Sequence, residues 1–367
     1  MTTATKTKAA GITIDAATLR TALADVLRAV PGKTPKPVLH NVRLGDGLLT
    51  GTDLEIRIDR EIDYHGDAIL LPAAKLSAIL KAATGDTVTL TPQGTSVKVK
   101  VGGGSWTLPT EDAAEFPVWE PANLKAVCRL PADQFARAAR ATAYATDTES
   151  SRYALGGVLI DVRGGNPTWV ATDGRRLSAV ETETDQAVDD SQTIVPARAI
   201  NVAASMAHGD GSVQIEANGS EVRFTLDGVT VTARLVEGKF PRWRDVVGEP
   251  EGEPTVLEVG DLLRAVESAA IVTSEQSKGV EFTWSATGLA LTAKSSEYGE
   301  SRVKCDLVTP GSTSATKLDP KYVSQFLAHI PSDEEPQVNV YATDPGSRVL
   351  FRCGPYTGVV MPLAAEG

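Results

Sequence analysis

Apolar and polar residues alternate along much of this chain, in short runs separated by glycine, proline and aspartate. The segment WVATDGRRLSAVE, residues 169–181, has apolar residues at period two on both sides of Thr172-Asp173-Gly174-Arg175. This alternation predicts two half-buried strands, and the Asp-Gly pair favours a tight turn between them. Two arginines end the turn, so the hairpin is either an ordinary solvated one or a place that meets a partner.

A second pattern, with apolar residues three and four apart, predicts six short helices. In the first, Leu19, Ala22, Leu23 and Val26 form one apolar face, and Asp15 can cap the N-terminus. The other five are predicted from Pro72, over Pro131–Ala145, over Pro196–Met206, over Leu262–Ala270 and over Val323–Ile330.

The predicted helices and strands recur in one order, and landmarks recur with them. Thr52-Asp53-Leu54-Glu55 matches Thr172-Asp173-Gly174-Arg175, and Phe116-Pro117-Val118-Trp119 matches Phe240-Pro241-Arg242-Trp243 as a second connector. The sequence therefore predicts an α+β protein of three repeated domains, each made of two β-α-β-β-β halves. The predicted domains are residues 1–125, 126–250 and 251–367.

Charge is distributed unevenly over these elements. The chain has 47 acidic and 36 basic residues and a formal net charge of -11, so any contact with nucleic acid requires a local basic surface. Five of the six predicted helices are nevertheless net positive, and the fifth is balanced. They are either ordinary solvated helices or the lining of one basic surface, whose attraction to phosphates would be diffuse and independent of sequence.

The cysteines and the apolar runs bear on the cellular compartment of the protein. The three cysteines, Cys128, Cys305 and Cys353, suggest neither a disulfide framework nor a metal site, and they fit a reducing compartment. The N-terminus lacks the apolar core of a signal peptide, and no apolar run approaches the roughly 20 residues of a membrane span. We therefore expect a cytoplasmic protein with no membrane partner.

An enzyme is the weaker interpretation. Asp53, Glu55 and Asp173 are candidate paired carboxylates, but the sequence has no nucleophile elbow and no glycine loop leading into a helix. The four histidines are scattered, without the spacing of metal ligands. We expect no enzymatic activity, no catalytic residue, no metal and no cofactor.

Taken together, the repeats, helix charges and turns resemble one family, the bacterial DNA polymerase III beta subunit or processivity sliding clamp. The resemblance spans almost the whole chain and rests on Leu39-His40-Asn41-Val42, residues 49–56, the ATDGRRL stretch of residues 171–177, Glu237-Gly238-Lys239-Phe240-Pro241 and Val359-Val360-Met361-Pro362-Leu363. It implies a head-to-tail homodimer that closes as a ring around duplex DNA, with helices lining the inside and sheets outside. It also implies loading by an ATP-driven clamp loader and tethering of the replicative polymerase catalytic subunit and other partners that carry clamp-binding peptides.

The resemblance also implies a pocket for partner peptides between the second and third domains. The matching positions are Leu155, Thr172, Gly174, Arg175, Arg176, Leu177, Pro241, Val246, Tyr322, Val359, Val360, Met361, Pro362 and Leu363. Most are apolar, as an anchor groove requires. Residues 361–363 could equally be only a final edge strand.

Contacts with double-stranded DNA are expected from helix residues and from a rim. The helix residues are Arg20, Lys75, Lys81, Arg137, Arg140, Arg198 and Lys321. At the rim the resemblance implies Lys33, Arg152 and Tyr153.

Ring closure requires an edge strand on the first domain and another on the third. The resemblance implies that Trp106 and Leu108 pack against Ile271 and Val272 of a second copy. Alternatively, Trp106 belongs to the core of its own domain.

The chain departs from the family beside the expected pocket. The family's C-terminal run usually continues Met-Pro-Met-Arg-Leu and stops, whereas here Leu363 is followed by Ala364-Ala365-Glu366-Gly367, with no arginine. Residues 242–245 read RWRD where the family commonly has DYRR. These changes indicate a divergent clamp; the alternative function is a β-rich peptide-binding scaffold that does not encircle DNA.

Overall fold

The computed structural model describes residues 11–119, 122–147, 154–184, 186, 188–274, 278–331 and 336–364. Their helices are α1 Ala16–Val26, α2 Ala73–Ala82, α3 Ala132–Ala143, α4 Ala197–Ala204, α5 Trp243–Val247, α6 Val259–Ala270 and α7 Pro320–Ala328. The first eight strands are β1 Ile12–Asp15, β2 Asn41–Gly45, β3 Leu48–Thr52, β4 Ile56–Glu61, β5 Ile69–Pro72, β6 Thr87–Pro92, β7 Ser96–Val101 and β8 Gly104–Pro109. The next eight are β9 Lys125–Pro131, β10 Gly157–Arg163, β11 Asn166–Thr172, β12 Arg176–Glu181, β13 Ser191–Pro196, β14 Ser212–Ala217, β15 Glu221–Leu226 and β16 Val229–Arg234. The last eight are β17 Thr255–Glu258, β18 Val280–Ser285, β19 Gly288–Ser295, β20 Gly299–Cys305, β21 Ser314–Leu318, β22 Gln337–Tyr341, β23 Val349–Cys353 and β24 Tyr356–Val360.

These elements follow one order, β-α-β-β-β, six times along the chain. The α+β class with three repeated domains of two such halves is therefore confirmed. Helix α5 is the exception, because it lies in a stretch that the sequence predicts to be only a connector. The domain boundaries themselves remain predictions.

Local capping explains where several helices begin. Asp15 Oδ1 accepts a hydrogen bond from Thr18 N at 2.7 Å, and this N-cap, predicted from the sequence, lowers the pKa of Asp15. Asp319 caps α7 in the same way, by accepting from Lys321 N at 2.9 Å, and Pro320 occupies the first turn. The apolar faces of both helices are buried.

Contacts divide the chain into two compact units. The first comprises Met1–Ala126 and Ser205–Leu235. It contains a four-stranded sheet of order β1-β6-β7-β8 and an antiparallel arrangement β5-β2-β3-β4-β16-β15-β14, in which β4 pairs with β16. Helices α1 and α2 pack against each other in this unit.

The second unit comprises Val127–Ala204 and Val236–Gly367. One sheet has the order β13-β10-β11-β12-β24-β23-β22-β17, and the other has the order β20-β19-β18-β21. Helix α3 packs on α4, and α6 packs on α7. Each predicted domain thus contributes one helix pair.

Aromatic residues fill the cores of the second unit. Trp169 is fully buried, and its ring meets that of Phe135 edge-on with centroids 5.6 Å apart. Near the C-terminus, Phe326 and Phe351 lie 5.7 Å apart in a second apolar cluster. The site described below lies over the sheet that joins these two cores.

Two features bear on the class of protein. No helix among the described residues is long and apolar enough to cross a membrane. The described part of the chain also has no cluster of three or more metal-ligating side chains. Its three cysteines are free and buried, and burial raises the pKa of Cys128 to about 12.

Candidate functional site

The turn between β11 and β12 is held by its own side chains. Asp173 Oδ1 accepts hydrogen bonds from the backbone N–H groups of Arg175 and Arg176 at 2.9 and 3.0 Å. Gly174 has a φ of 84°, a conformation that favours glycine. Thr172 Oγ1 closes the turn by donating to Arg176 O at 2.6 Å.

The first unit repeats this turn, which confirms the landmark match between residues 52–55 and 172–175. Asp53 Oδ1 accepts from Glu55 N at 3.0 Å and from Ile56 N at 2.8 Å. Thr52 Oγ1 donates to Ile56 O at 2.8 Å. Leu54 takes the position of the glycine at a φ of 82°, which is strained for a leucine.

Arg176 is directed into the protein rather than towards a ligand. Its Nε donates to Asp173 Oδ2 at 3.0 Å, one Nη donates to Tyr144 O at 2.6 Å, and the other bonds to Gln325 Oε1. Its guanidinium carbon lies 5.1 Å from the ring centre of Tyr144 and 4.6 Å from that of Tyr322. Arg176 therefore joins β12 and the end of α3 to α7.

Tyr144 and Tyr322 complete this contact. Burial raises the pKa of Tyr144 to about 12, and the His329 ring stacks on Tyr144 with centroids 4.5 Å apart. A side-chain hydrogen bond with Tyr322 raises the pKa of Arg175, which itself is exposed. Tyr322 thus lies between the two arginines, with the Arg176 guanidinium over its ring and Arg175 beside its side chain.

An apolar floor lies beside this turn, where β12 pairs with β24. Leu177 and Val359 are cross-strand partners and belong to one buried cluster with Val247 of α5. Phe240 and Trp243 pack against the cluster from the connector. The sheet thus presents an apolar base that is covered from one side by α5.

The predicted pocket residues differ in how far their side chains are exposed to solvent. Leu155, Thr172, Leu177, Val359 and Val360 are buried, whereas Arg176, Tyr322, Pro362 and Leu363 are half-buried. Gly174, Arg175, Pro241, Val246 and Met361 are exposed. Among the predicted pocket residues, the exposed ones are those whose side chains are accessible to a ligand.

The C-terminal segment is tied to the same turn through its backbone. Met361 N donates to Arg175 O at 2.8 Å, and Leu363 N donates to Lys317 O at 2.8 Å. The Met361 side chain is nevertheless 40% exposed. The segment therefore continues beyond the last strand as an anchored surface strip.

A cleft of about 1220 Å³ opens beside this strip. It is lined by Arg175, Tyr322 and residues 361–363, all of them predicted pocket positions. Ile271 and Lys321, predicted for the dimer interface and for DNA, line the same cleft. The structure therefore brings together residues that the sequence assigned to three different sites.

Sequence reasoning missed α5 and the groups that hold it. Trp243 Nε1 donates to Asp161 Oδ2 at 3.0 Å, and Arg244 forms an ion pair with the same carboxylate. Two signals were available: Trp243 matches Trp119 in the repeat, and Gly248 is a typical residue after a helix end, here with a φ of 55°. Five residues are too few to show helical periodicity.

The predicted DNA-contacting side chains lie mostly at the surface. Lys75, Lys81, Arg137, Arg140, Arg198, Lys321 and the loop residue Lys33 are exposed. Arg20 is different: its Nε donates to Leu80 O at 2.8 Å and one Nη to Ala83 O at 3.1 Å, so it caps the C-terminal end of α2. Arg152 and Tyr153 lie outside the described residues.

The helix bounds in the structure correct the predicted helix charges. Helix α3 includes Asp133, which pairs with Arg137 at 2.7 Å. Helix α6 includes Asp261, which pairs with Arg264, so α6 is net negative rather than balanced. Arg28 lies after α1, leaving Arg20 and Asp25 to balance within it. Only α2, α3, α4 and α7 are net positive.

The predicted dimer residues lie at or near two sheet edges. Strand β8 ends the sheet β1-β6-β7-β8, and β20 ends the sheet β20-β19-β18-β21. Leu108 is buried in its own sheet, whereas Trp106 is only half-buried, so the alternative of a core Trp106 is not supported. Ile271 is 78% exposed and Val272 half-buried.

Comparisons with known proteins agree with these features. The family described as the DNA polymerase III beta subunit matches with its N-terminal domain at residues 11–120 and its central domain at residues 129–242. The beta sliding clamp of Pseudomonas putida is 30% identical over 351 residues, covering 91% of this chain and 94% of that protein. The beta sliding clamp of Escherichia coli K12 is 29% identical over 308 residues, covering 81% and 84%.

A solved structure of the DNA polymerase III subunit beta from Pseudomonas aeruginosa is 28% identical, with a TM-score of 0.89 and coverage of 96% of this chain and 100% of that one. The family models together match more than half of the residues, and the Pseudomonas putida relative matches across nearly its full length. This chain therefore belongs to the beta sliding clamp family, the beta subunits of bacterial DNA polymerase III.

Proposed function

We propose that two copies of this chain close head to tail into a ring around duplex DNA and confer processivity on the replicative polymerase. The ring slides without sequence preference, and the pocket beside residues 172–177 tethers the polymerase catalytic subunit and other partners through short peptides. A clamp loader places the ring on DNA. The chain itself performs no chemistry and works in the cytoplasm.

One observation supports this proposal most directly. Within the chain, the last strand of a domain's first half pairs with the last strand of the next domain's second half. This rule leaves one strand of each kind without such a partner. Strand β4, the last of a first half, pairs with β16, the last strand of the second half in the following predicted domain. Strand β12 pairs with β24 in the same way. Strand β20 is the last of a first half and β8 is the last of a second half, so the same rule pairs β20 with β8. In a head-to-tail arrangement, this β8 belongs to a second copy of the chain.

Charge supports encirclement rather than site recognition. Exposed cations lie on α2, α3, α4 and α7 of an otherwise acidic chain. Their number per helix is small, so the attraction to phosphates is weak, screened by salt and independent of base sequence. These properties suit a ring that must move along DNA.

The candidate carboxylates support a non-catalytic role. Oδ1 of Asp53 and Oδ1 of Asp173 each accept hydrogen bonds from two backbone N–H groups of their own turns. The relatives named above are beta sliding clamps and a DNA polymerase III subunit beta. Their family supports the polymerase as the principal partner.

The experiment is topological. The fluorescently labelled chain is loaded by the clamp loader onto a nicked circular plasmid, and the complex is isolated by gel filtration. We expect the chain to co-elute with the circle and to be released when a restriction enzyme linearises it. Blocking both ends of the linear DNA with bulky proteins should restore retention.

Two outcomes would contradict the proposal. Retention that is unchanged by linearisation would indicate ordinary DNA binding without encirclement. Absence of retention on every DNA, with peptide binding intact, would favour the peptide-binding scaffold that does not encircle DNA.

A further inference from the structure

A buried carboxylate holds helix α5, which packs on the apolar floor that contains Leu177 and Val359. Asp161 of β10 is fully buried and accepts hydrogen bonds from Trp243 Nε1 at 3.0 Å and Gln192 Nε2 at 3.2 Å. Arg244 pairs with the same carboxylate and also covers the Trp243 ring, with its guanidinium carbon 4.2 Å from the ring centre. Trp243 and Arg244 are the first two residues of α5.

Asp161 is ionised at neutral pH, which strengthens its bonds to the residues that it holds in place. Burial alone would raise the pKa of Asp161, but hydrogen bonds from Arg244, Trp243 and Gln192 outweigh burial and lower the pKa below its ordinary value of 3.8. The carboxylate is therefore ionised at neutral pH. A buried ionised group with several donors is costly to disturb, because each donor then loses its partner.

The other end of α5 is held from a different part of the chain. Arg348, which precedes β23, donates from Nε to Val247 O at 3.1 Å and from an Nη to Glu249 O at 3.1 Å. Between the two attachments, Val247 packs into the apolar floor and Val246 remains 40% exposed. The position of Val246 therefore depends on both attachments.

We propose that Asp161 is a positioning residue of the partner-peptide pocket, which holds α5 through Trp243 and Arg244 so that Val246 presents a preformed wall. This inference rests on the proposed peptide pocket. A wall that is already ordered spares the ligand the entropy of ordering it, which increases affinity without any contact between Asp161 and the peptide.

The chain contains a matched control for this anchor. In the first unit, Trp119 Nε1 donates to Glu221 Oε1 at 2.9 Å, and Arg234 covers the Trp119 ring. The sheet beside Trp119 differs, however, because the pair equivalent to Leu177 and Val359 is Arg57 and Thr232. The same hydrogen bond from a tryptophan to a carboxylate thus occurs beside a polar surface that lacks the apolar floor of the pocket.

The test compares Asp161→Asn with Glu221→Gln. A fluorescein-labelled synthetic peptide with one glutamine followed by leucine and phenylalanine is titrated with each dimer, and the Kd is measured by fluorescence polarisation. Trp243 and Arg244 both bond Oδ2, so an asparagine that keeps these bonds turns its N–H₂ group towards Gln192 Nε2 and Arg163 Nε, which bond Oδ1. The asparagine also lacks the negative charge that pairs with Arg244. We expect Asp161→Asn to weaken binding about tenfold, a change of about 1.4 kcal/mol, and Glu221→Gln to leave the Kd unchanged.

Two further variants separate positioning from general destabilisation. Trp243→Phe keeps an aromatic ring but removes the indole N–H together with the five-membered part of the ring, so it should weaken binding in the same direction even if Asp161→Asn folds poorly. In a double-mutant cycle with Arg244→Gln, the two losses should be clearly less than additive, since both disrupt one anchor. The indole N–H resonance of Trp243 should shift in Asp161→Asn before any peptide is added.

The outcomes distinguish this inference from the proposed function. An unchanged Kd for both Asp161→Asn and Trp243→Phe, or an equal loss in Glu221→Gln, would overturn the role of Asp161. If instead the wild-type chain does not bind the peptide, or binds it equally well after alanine replacement of residues 361–363, the proposed pocket itself is wrong.

Discussion

At the scale of single residues, two kinds of contact hold the turn at residues 172–176: Asp173 bonds the backbone N–H groups of its own turn, and Arg176 bonds groups from distant parts of the chain. The sequence predicts the turn at Asp173 and Gly174, because aspartate bonds nearby backbone and glycine allows positive φ. The resemblance implies Arg176 as a position of the partner-peptide pocket. The structure instead engages that guanidinium with Tyr144, Tyr322 and Gln325, which are remote in the sequence. No local pattern specifies such partners.

The same distinction holds for Val246 and Val247. The resemblance implies Val246 as the pocket residue, and the structure shows Val246 at the surface with Val247 beneath it in the apolar floor. The identity of the buried neighbour depends on the orientation of α5. That orientation follows from Asp161 and Arg348, far away in the sequence.

Replacing Met361, Pro362 and Leu363 together by alanine should abolish peptide binding. The backbone bonds of Met361 and Leu363 can persist in the variant, so we expect a folded dimer that lacks only the apolar strip. The wild-type affinity should be about micromolar, roughly -8 kcal/mol, since one short peptide buries little surface. Titration with the labelled peptide measures the loss, and sedimentation measures the dimer.

The matched control for this triple variant is Val308→Ala, at a residue that is 47% exposed in the same unit but lies outside the cleft. Its Kd should equal that of the wild-type chain. Superimposable titration curves for the triple variant and the wild-type chain would contradict the assignment of residues 361–363.

At the scale of elements, periodicity predicts the helices well because each has one buried face. All six predicted helices are present among the described residues, while α5 was missed because it spans only Trp243–Val247. Helix ends were less predictable, and this altered the charges: the earlier start of α6 adds Asp261, and the earlier end of α1 leaves out Arg28. The remaining positive charge is concentrated on fewer helices than the sequence suggested.

Reversing Lys75, Lys81, Arg137 and Arg140 to glutamate should block stable loading on DNA without unfolding the chain. All four side chains are exposed and lie off the buried faces of α2 and α3. Each cation that contacts a phosphate contributes about one unit to the slope of log affinity against log salt, so the variant should also lose salt dependence. Retention on nicked circular DNA and circular dichroism measure the two effects.

A second charge reversal controls for the change in net charge. Replacing four exposed cations outside the helices, Lys125, Arg129, Lys239 and Lys294, by glutamate alters the total charge equally. This control should still be retained on circular DNA. Equal loss in both variants would indicate that total charge, rather than the helix cations, governs loading.

At the scale of the whole molecule, the landmark matches predicted three repeats, and the order of elements confirms them. The sequence could not tell which strands join neighbouring halves, because strands that pair across a junction, such as β12 and β24, are far apart in the chain. That pairing order leaves β8 and β20 as the last strands of a half that have no partner across a junction. Ring closure is therefore better motivated by topology than by any motif.

Trp106→Glu combined with Ile271→Glu should yield a folded monomer. Trp106 is half-buried on an edge strand and Ile271 is 78% exposed, so neither substitution removes a core residue. In the proposed dimer both side chains are buried against the second copy. Truncating an interface residue of this kind typically costs at least about 2 kcal/mol of binding free energy. A two-copy ring has this interface twice, so each substitution weakens both contacts. Analytical ultracentrifugation measures the change in mass.

The monomer should keep peptide binding, because the pocket residues at Leu177, Val359 and Met361 all belong to one compact unit of a single chain. It should lose retention on nicked circular DNA, because an open chain cannot encircle the duplex. Val118→Glu provides the control, since Val118 is an equally exposed apolar residue away from both edge strands, and this variant should remain a dimer. If the Trp106→Glu, Ile271→Glu variant still sediments as a tight dimer, closure depends on other residues of the two edges.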